Sequence, residues 1–125
     1  MKRVRVVNAA RSSLVGSSIG VADSSWTRLR GMLGRPEPGA GEGLLLAPCR
    51  GVHMYGMRYA LDVVFLDENG VVVAAYPALP PGARTPLVRG AAFALELPAG
   101  TVESTGTSVG DALYWTPANG RVPAR

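Results

Sequence analysis

The chain of 125 residues contains one cysteine, one histidine and a single lysine, Lys2. A lone cysteine excludes an internal disulfide framework, and a lone histidine excludes a multi-histidine metal site. Aromatic residues are scarce at 6%. They do not alternate with the basic residues, as the stacking platforms of a single-strand nucleic-acid binder would require. No apolar run approaches the ~18 residues of a membrane-crossing helix. The basic start, Met1-Lys2-Arg3, is followed by Arg5, Asn8 and Arg11 rather than by an apolar block, so a secretory leader is not expected. With no disulfide pair to form, the expected compartment is the cytoplasm.

Hydrophobic residues make up 47% of the chain and charged residues 18%. That balance predicts a folded globular domain of ordinary size and excludes wholesale disorder. The net charge is +4, and arginine supplies nearly all of the basic side chains. The arginines are dispersed. The nearest approaches to clusters are Lys2–Arg3–Arg5 and Arg28–Arg30–Arg35. Binding to RNA or an anionic surface is thus one reading of the charge, and a solvated surface is the simpler one.

Sixteen glycines and ten prolines divide the chain into short apolar segments. This predicts a mainly β fold: a compact barrel or two-sheet sandwich with one short amphipathic helix, over residues 1–116, followed by a fraying tail at 117–125. Strands are expected at Arg3–Asn8, Leu14–Val21, Leu44–Ala47, Leu61–Leu66, Val71–Tyr76, Phe93–Leu97 and Ala112–Thr116. Asp67-Glu68-Asn69-Gly70 should turn a hairpin whose two strands, apolar on both faces, sit centrally in the sheet. Val63, Phe65, Val72 and Leu95 are the expected core. The helix should start at Asp23 or Ser24, present Trp26, Leu29 and Met32 or Leu33 on one face, contain Gly31, and end with Gly34 at C′. Thr101–Thr105 suits one further helical turn closed by Gly106.

Several motifs carry possible chemistry. Gly16-Ser17-Ser18-Ile19-Gly20 fits the G-x-S-x-G nucleophile pattern, yet the chain lacks the strand-helix repetition that such an elbow requires, so a small-residue strand or bulge is the better reading. Cys49, His53 and Asp62 have the residue types of a thiol–imidazole–carboxylate system. Cys49, His53, Met54 and Met57 have those of a soft-metal site. Positions four apart in a strand lie ~13 Å apart, so either would need a turn at Arg50–Val52. Asp62 lies inside the apolar run LDVVFL and must be hydrogen-bonded or paired. It pins the strand entry or caps a turn, forms a polar pocket floor with His53 and Arg58 while Tyr55 or Met57 supplies an apolar wall, or is an exposed strand start.

The run PCRGVHMYGMRYALDVVFLDENG, followed by LPPG, LELPAGT and VGD, resembles the prokaryotic family called domain of unknown function 192. WTRLRGMLGR is similar to that family's helix and its Gly-Leu-Met-Gly-Arg-like ending. The likeness runs from about Val6 to Trp115. The chain departs from the family pattern at Met54-Tyr55 and at Ala60-Leu61. The resemblance implies a small β-rich barrel or sandwich with one helix, and implies no activity.

The expected function is that of a non-enzymatic binding module for a small polar or anionic ligand or a protein partner. The expected contacts are His53, Tyr55, Met57, Arg58 and Asp62, with no cofactor and no metal. The alternatives are an enzyme using Cys49 and His53 or Asp62, and an RNA- or surface-binding protein acting through its arginines. Nucleic acid is the disfavoured partner, and a monomer or weak oligomer the expected state.

Overall fold

The computed structural model describes residues 1–24 and 30–118. Seven strands form one sheet: β1 (Arg3–Asn8), β2 (Ser13–Ala22), β3 (Glu42–Leu46), β4 (Leu61–Leu66), β5 (Val72–Leu79), β6 (Phe93–Pro98) and β7 (Leu113–Pro117). Their order is β5-β4-β6-β3-β2-β1-β7. All neighbours are antiparallel except β2 and β3, which run parallel from Ser18↔Glu42 to Ala22↔Leu46. A short helix, α1 (Thr101–Thr105), follows β6.

The sheet curls into a half-barrel, the barrel form of the expected fold. Its end strands approach each other where β5 and β7 begin. Val71 and Ala112 form an antiparallel bridge, Val72 N–H donates to the Asp111 carbonyl at 2.9 Å, and Leu113 N–H donates to the Gly70 carbonyl at 2.9 Å. This approach depends on Gly70. Its φ is +82°, and a Cβ there would lie 2.5 Å from the Leu113 carbonyl oxygen. Asp67 prepares the turn by accepting from the Asn69 and Val71 amides, both at 2.9 Å. Within the turn Gly70 is left-handed and Asn69 is not. The hairpin is also not wholly central: β4 is interior, whereas β5 pairs with β4 alone and ends the sheet order.

Strand alternation divides the apolar residues between two faces. Val64, Leu66, Leu95 and Leu97 join Val4, Val6, Ile19, Val72 and Leu113 inside the curl. Leu61, Val63, Phe65, Ala94, Leu44 and Leu46 project the other way, where Met32, Met54, Val88 and Ala91 cover them. The four expected core residues are all buried.

The helix expected from Asp23 to Leu33 falls partly outside the described residues, as do Trp26 and Leu29. The described part corrects its end. Arg30 is the last helical residue, and Gly31 adopts φ +53° and begins a turn that continues to Gly34. Glycine inside that segment therefore stops the helix three residues before Gly34, because the left-handed conformation is cheap only for glycine. The second expected helical turn, Thr101–Thr105, is α1, closed by Gly106 at φ +71°.

Candidate functional site

Three connecting segments cover the outer face of β3, β6 and β4: residues 30–36, 48–60 and 80–92. Backbone polar groups in such loops need partners, and the last two segments supply them to each other. Val52 N–H donates to Thr85 Oγ1 (3.0 Å), and Thr85 N–H donates to the Val52 carbonyl (2.8 Å). Val88 N–H donates to the Arg50 carbonyl and Met54 N–H to the Ala83 carbonyl, both at 2.7 Å. Cys49 is tied to the β6 side by its N–H on the Ala92 carbonyl (3.0 Å). The first segment is held by Tyr59, whose hydroxyl lies 2.9 Å from the Arg35 carbonyl.

Between these segments lies a cleft of about 460 Å³, within the range of small-molecule sites. Its walls include Met32, Leu46, Val52 and Met57, and its charged members are Arg30, Arg50 and Glu96. Three large apolar side chains on its lining are open to solvent: Leu33 (40% exposed), Tyr55 (50%) and Leu87 (77%). The Tyr55 ring stacks on the His53 ring with centroids 4.8 Å apart. The Tyr55 amide donates to His53 Nδ1 at 3.3 Å, and the Cys49 thiol donates to the Gly51 carbonyl at 3.2 Å.

Glu96 is the polar group set deepest in the cleft. Its residue is 4% exposed. It sits in β6 opposite Val63 of β4 and Leu44 of β3, so its side chain shares their outward-facing layer. The Met32 backbone N–H donates to the carboxyl group. Glu96 Oε1 is buried with no hydrogen-bond partner among the described residues. Burial pushes the Glu96 carboxyl up to about 7, against the opposing effects of the Met32 hydrogen bond and the Arg35 charge. The phenol of Tyr59 is also raised, first by burial and then by the negative charges of Glu96 and Glu37. Gly31 allows the close approach to this acid: a Cβ there would lie 3.1 Å from Oε1, on a backbone already at φ +53°. Near neutrality the acid is shared between its protonated and ionised forms, so it can either donate or accept a hydrogen bond.

The structure brings His53, Tyr55 and Met57 together on this cleft, and Cys49 with them. Arg58 lines a neighbouring depression with Met57, Tyr59, Arg35 and Glu37. Asp62 lies in neither. It points into the curl, on the opposite face of β4 from Val63, because adjacent strand residues face opposite ways. There it is fully buried; Oδ1 accepts from Ala78 N–H and Oδ2 from Val102 N–H, each at 2.8 Å. It pins β5 and α1 to the sheet, the structural alternative read from the sequence; the other alternative, a floor shared with His53 and Arg58, is not formed, and the acid on the cleft lining is Glu96. The Gly16–Gly20 run is extended strand within β2, with a register shift in its pairing to Val6. Among the described residues no group of three His, Cys, Asp or Glu side chains is placed to hold a metal ion.

Glu96 was missed by sequence reasoning, although a signal existed. It is an acid in the middle of FALELP, the same anomaly that drew attention to Asp62 in LDVVFL.

A half-barrel sheet with a loop-covered outer face and a cleft over a buried acid defines the class, a small β protein. The family model for domain of unknown function 192, described as an uncharacterized ACR, matches residues 6–115, and the chain belongs to that family. A UPF0127 protein of Thermococcus sibiricus is 25% identical over 114 residues, covering 88% of this chain and 73% of that protein. Among solved structures, a proposed transcription regulator from Sinorhizobium meliloti 1021 superposes with a TM-score of 0.77 at 27% identity, covering 91% of this chain and 92% of that one. A protein of unknown function from Novosphingobium aromaticivorans has a TM-score of 0.74 at 21% identity, covering 90% and 84%.

Proposed function

We propose that the chain is a binding module that takes a small polar ligand in the cleft between Gly31–Leu33 and Cys49–His53. The observation that carries this reading is the unpartnered Oε1 of Glu96 on the cleft lining. A buried acid with an unfilled hydrogen-bond position destabilises the chain that holds it. Groups of that kind are retained where a ligand completes them. The apolar walls would contribute the contact area, and the acid the orientation.

The test is a fragment screen followed by amide NMR on the whole chain, with Glu96→Leu alongside. Fragments that bind should shift the amides of Gly31, Met32 and Arg50–Val52. Glu96→Leu should fold at least as stably as the parent and lose those shifts. If no fragment moves these amides, or if binding survives unchanged in Glu96→Leu, the reading is wrong.

A second reading rests on charge. Arg30, Arg50, Arg58, Arg84 and Arg89 are exposed on the three covering segments, and the Sinorhizobium meliloti relative is described as a proposed transcription regulator. Nucleic-acid binding through these arginines would weaken steeply with salt, whereas ligand binding in the cleft would respond far less.

A further inference from the structure

The charges around the cleft are arranged by depth. The residue at the floor, Glu96, is buried and acidic; the cationic lining residues, Arg30 and Arg50, are exposed. The same polarity extends over the covering segments. Residues 30–36, 48–60 and 80–92 contain Arg30, Arg35, Arg50, Arg58, Arg84 and Arg89 and no acid, with Glu37 just after the first segment. A purely cationic ligand would meet repulsion at the mouth. A purely anionic one would meet the acid at the floor. Between mouth and floor the walls are hydrocarbon and thioether: Met32, Leu46, Val52 and Met57.

We propose that the ligand is a small zwitterion with separated charges. Its ammonium or comparable N–H group fills the open position on Glu96 Oε1, a short apolar spacer lies against Met32, Val52 and Met57, and its carboxylate emerges between Arg30 and Arg50. This rests on the cleft being the binding site and names the class of molecule that enters it. Each part of the ligand answers a feature of the lining. In the ionised form of Glu96 the unpartnered buried oxygen takes a donor, since a carboxylate only accepts. The guanidinium groups favour a carboxylate, which they can hold through paired N–H donors. The apolar walls require a spacer, because a polar one would be desolvated without partners.

The zwitterion also has a protonic signature. An ammonium group on Glu96 favours the ionised carboxylate, so binding near neutral pH releases a proton from the protein.

The experiment is an amide NMR titration of the whole chain with β-alanine, γ-aminobutyrate and ε-aminocaproate. Butyrate and caproate serve as acid-only controls, butylamine and hexylamine as amine-only controls. At least one amino acid of the series should shift Gly31, Met32 and Arg50–Val52 and bind tenfold or more tightly than its two single-function analogues. Glu96→Gln should remove that advantage while leaving caproate binding unchanged. Arg50→Ala should weaken the amino acid and caproate together and leave hexylamine alone. Calorimetry in two buffers of different ionisation enthalpy should show proton release for the amino acid and none for caproate. The zwitterion is overturned if the whole series leaves these amides unmoved, or if caproate or hexylamine binds as tightly as ε-aminocaproate. It is also overturned if Glu96→Gln, with a native-like spectrum, binds the series unchanged. The wild-type comparison decides the matter even if a variant fails to fold. If screening fragments of other classes occupy the cleft while the amino acids do not, the ligand class fails and the cleft survives. If neither group binds, both fail.

Discussion

Glu96 makes a definite prediction about stability and pH. Its carboxyl group moves from 4.5 to about 7 on folding, chiefly because burial disfavours the charged form. Between those values the folded chain retains a proton that the unfolded chain has lost. Stability must therefore fall as pH rises through this window and level off above it. At about 1.4 kcal/mol per pH unit, the loss is about 3 kcal/mol, a large part of what a domain of this size possesses. Glu96→Gln keeps the shape, and its amide oxygen can still accept from Met32 N–H, but the charge is gone. Urea unfolding from pH ~5 to ~8.5 should show the parent losing about 3 kcal/mol relative to the variant. The other shifted carboxyl, Asp111, lies outside this window. Hydrogen bonding from the Asn8 side chain is the main influence holding it below the usual carboxylate range. Its contribution is accordingly lost only under more acidic conditions. Parallel stability curves for parent and Glu96→Gln across the window would refute the assignment of Glu96 as a buried, incompletely partnered acid.

Phe65 is fully buried and meets Tyr76 edge-on at 5.9 Å; Phe65→Ala should destabilise by ~3–5 kcal/mol in denaturant titration, and a loss under ~1 kcal/mol would be inconsistent with this packing. Gly70→Ala should cost at least about 1–3 kcal/mol and loosen the contact between the starts of β5 and β7, read as faster hydrogen exchange at Val72 and Leu113; unchanged exchange would count against that contact as the closure of the curl. Asp62→Asn should destabilise by about 1–3 kcal/mol, since an amide can present one acceptor oxygen where two backbone donors wait, and exchange at Ala78 or Val102 should quicken; a variant as stable as the parent would refute the clamp.

Most strands were legible because Gly and Pro bounded them and β-branched residues filled them. Arg3–Asn8 and Leu61–Leu66 have the expected limits. The strand from Leu44 was expected to end at Ala47 and spans Glu42–Leu46, because its parallel pairing with β2 brings in Glu42 and Gly43. Sheet order was not legible. It depends on which strands meet across the curl, and nothing local in Val71–Tyr76 says that its outer edge lacks a full partner. The end of the first helix was misplaced for a related reason. Gly31 and Gly34 both suit a left-handed conformation and both adopt it, and nothing local says that the helix already ends at the earlier one.

The candidate site shows where local reasoning ends. Two apolar strands each contain one acid, Asp62 in LDVVFL and Glu96 in FALELP. Alternation alone places each acid on one face, but it does not say which face closes into the barrel and which carries the loops. Strand register supplies that answer. Asp62 stands opposite Leu97, and Val63 opposite Glu96, and residues directly opposite in an antiparallel pair share a face. One acid therefore enters the curl and the other faces the cleft. Their roles then follow from the available donors. Asp62 meets a backbone N–H at each oxygen, from Ala78 and Val102, and is structurally complete. Glu96 meets the single amide of Met32 and keeps Oε1 without a partner. Between Asp62 and Glu96, Glu96 is the one whose hydrogen bonding a ligand can complete.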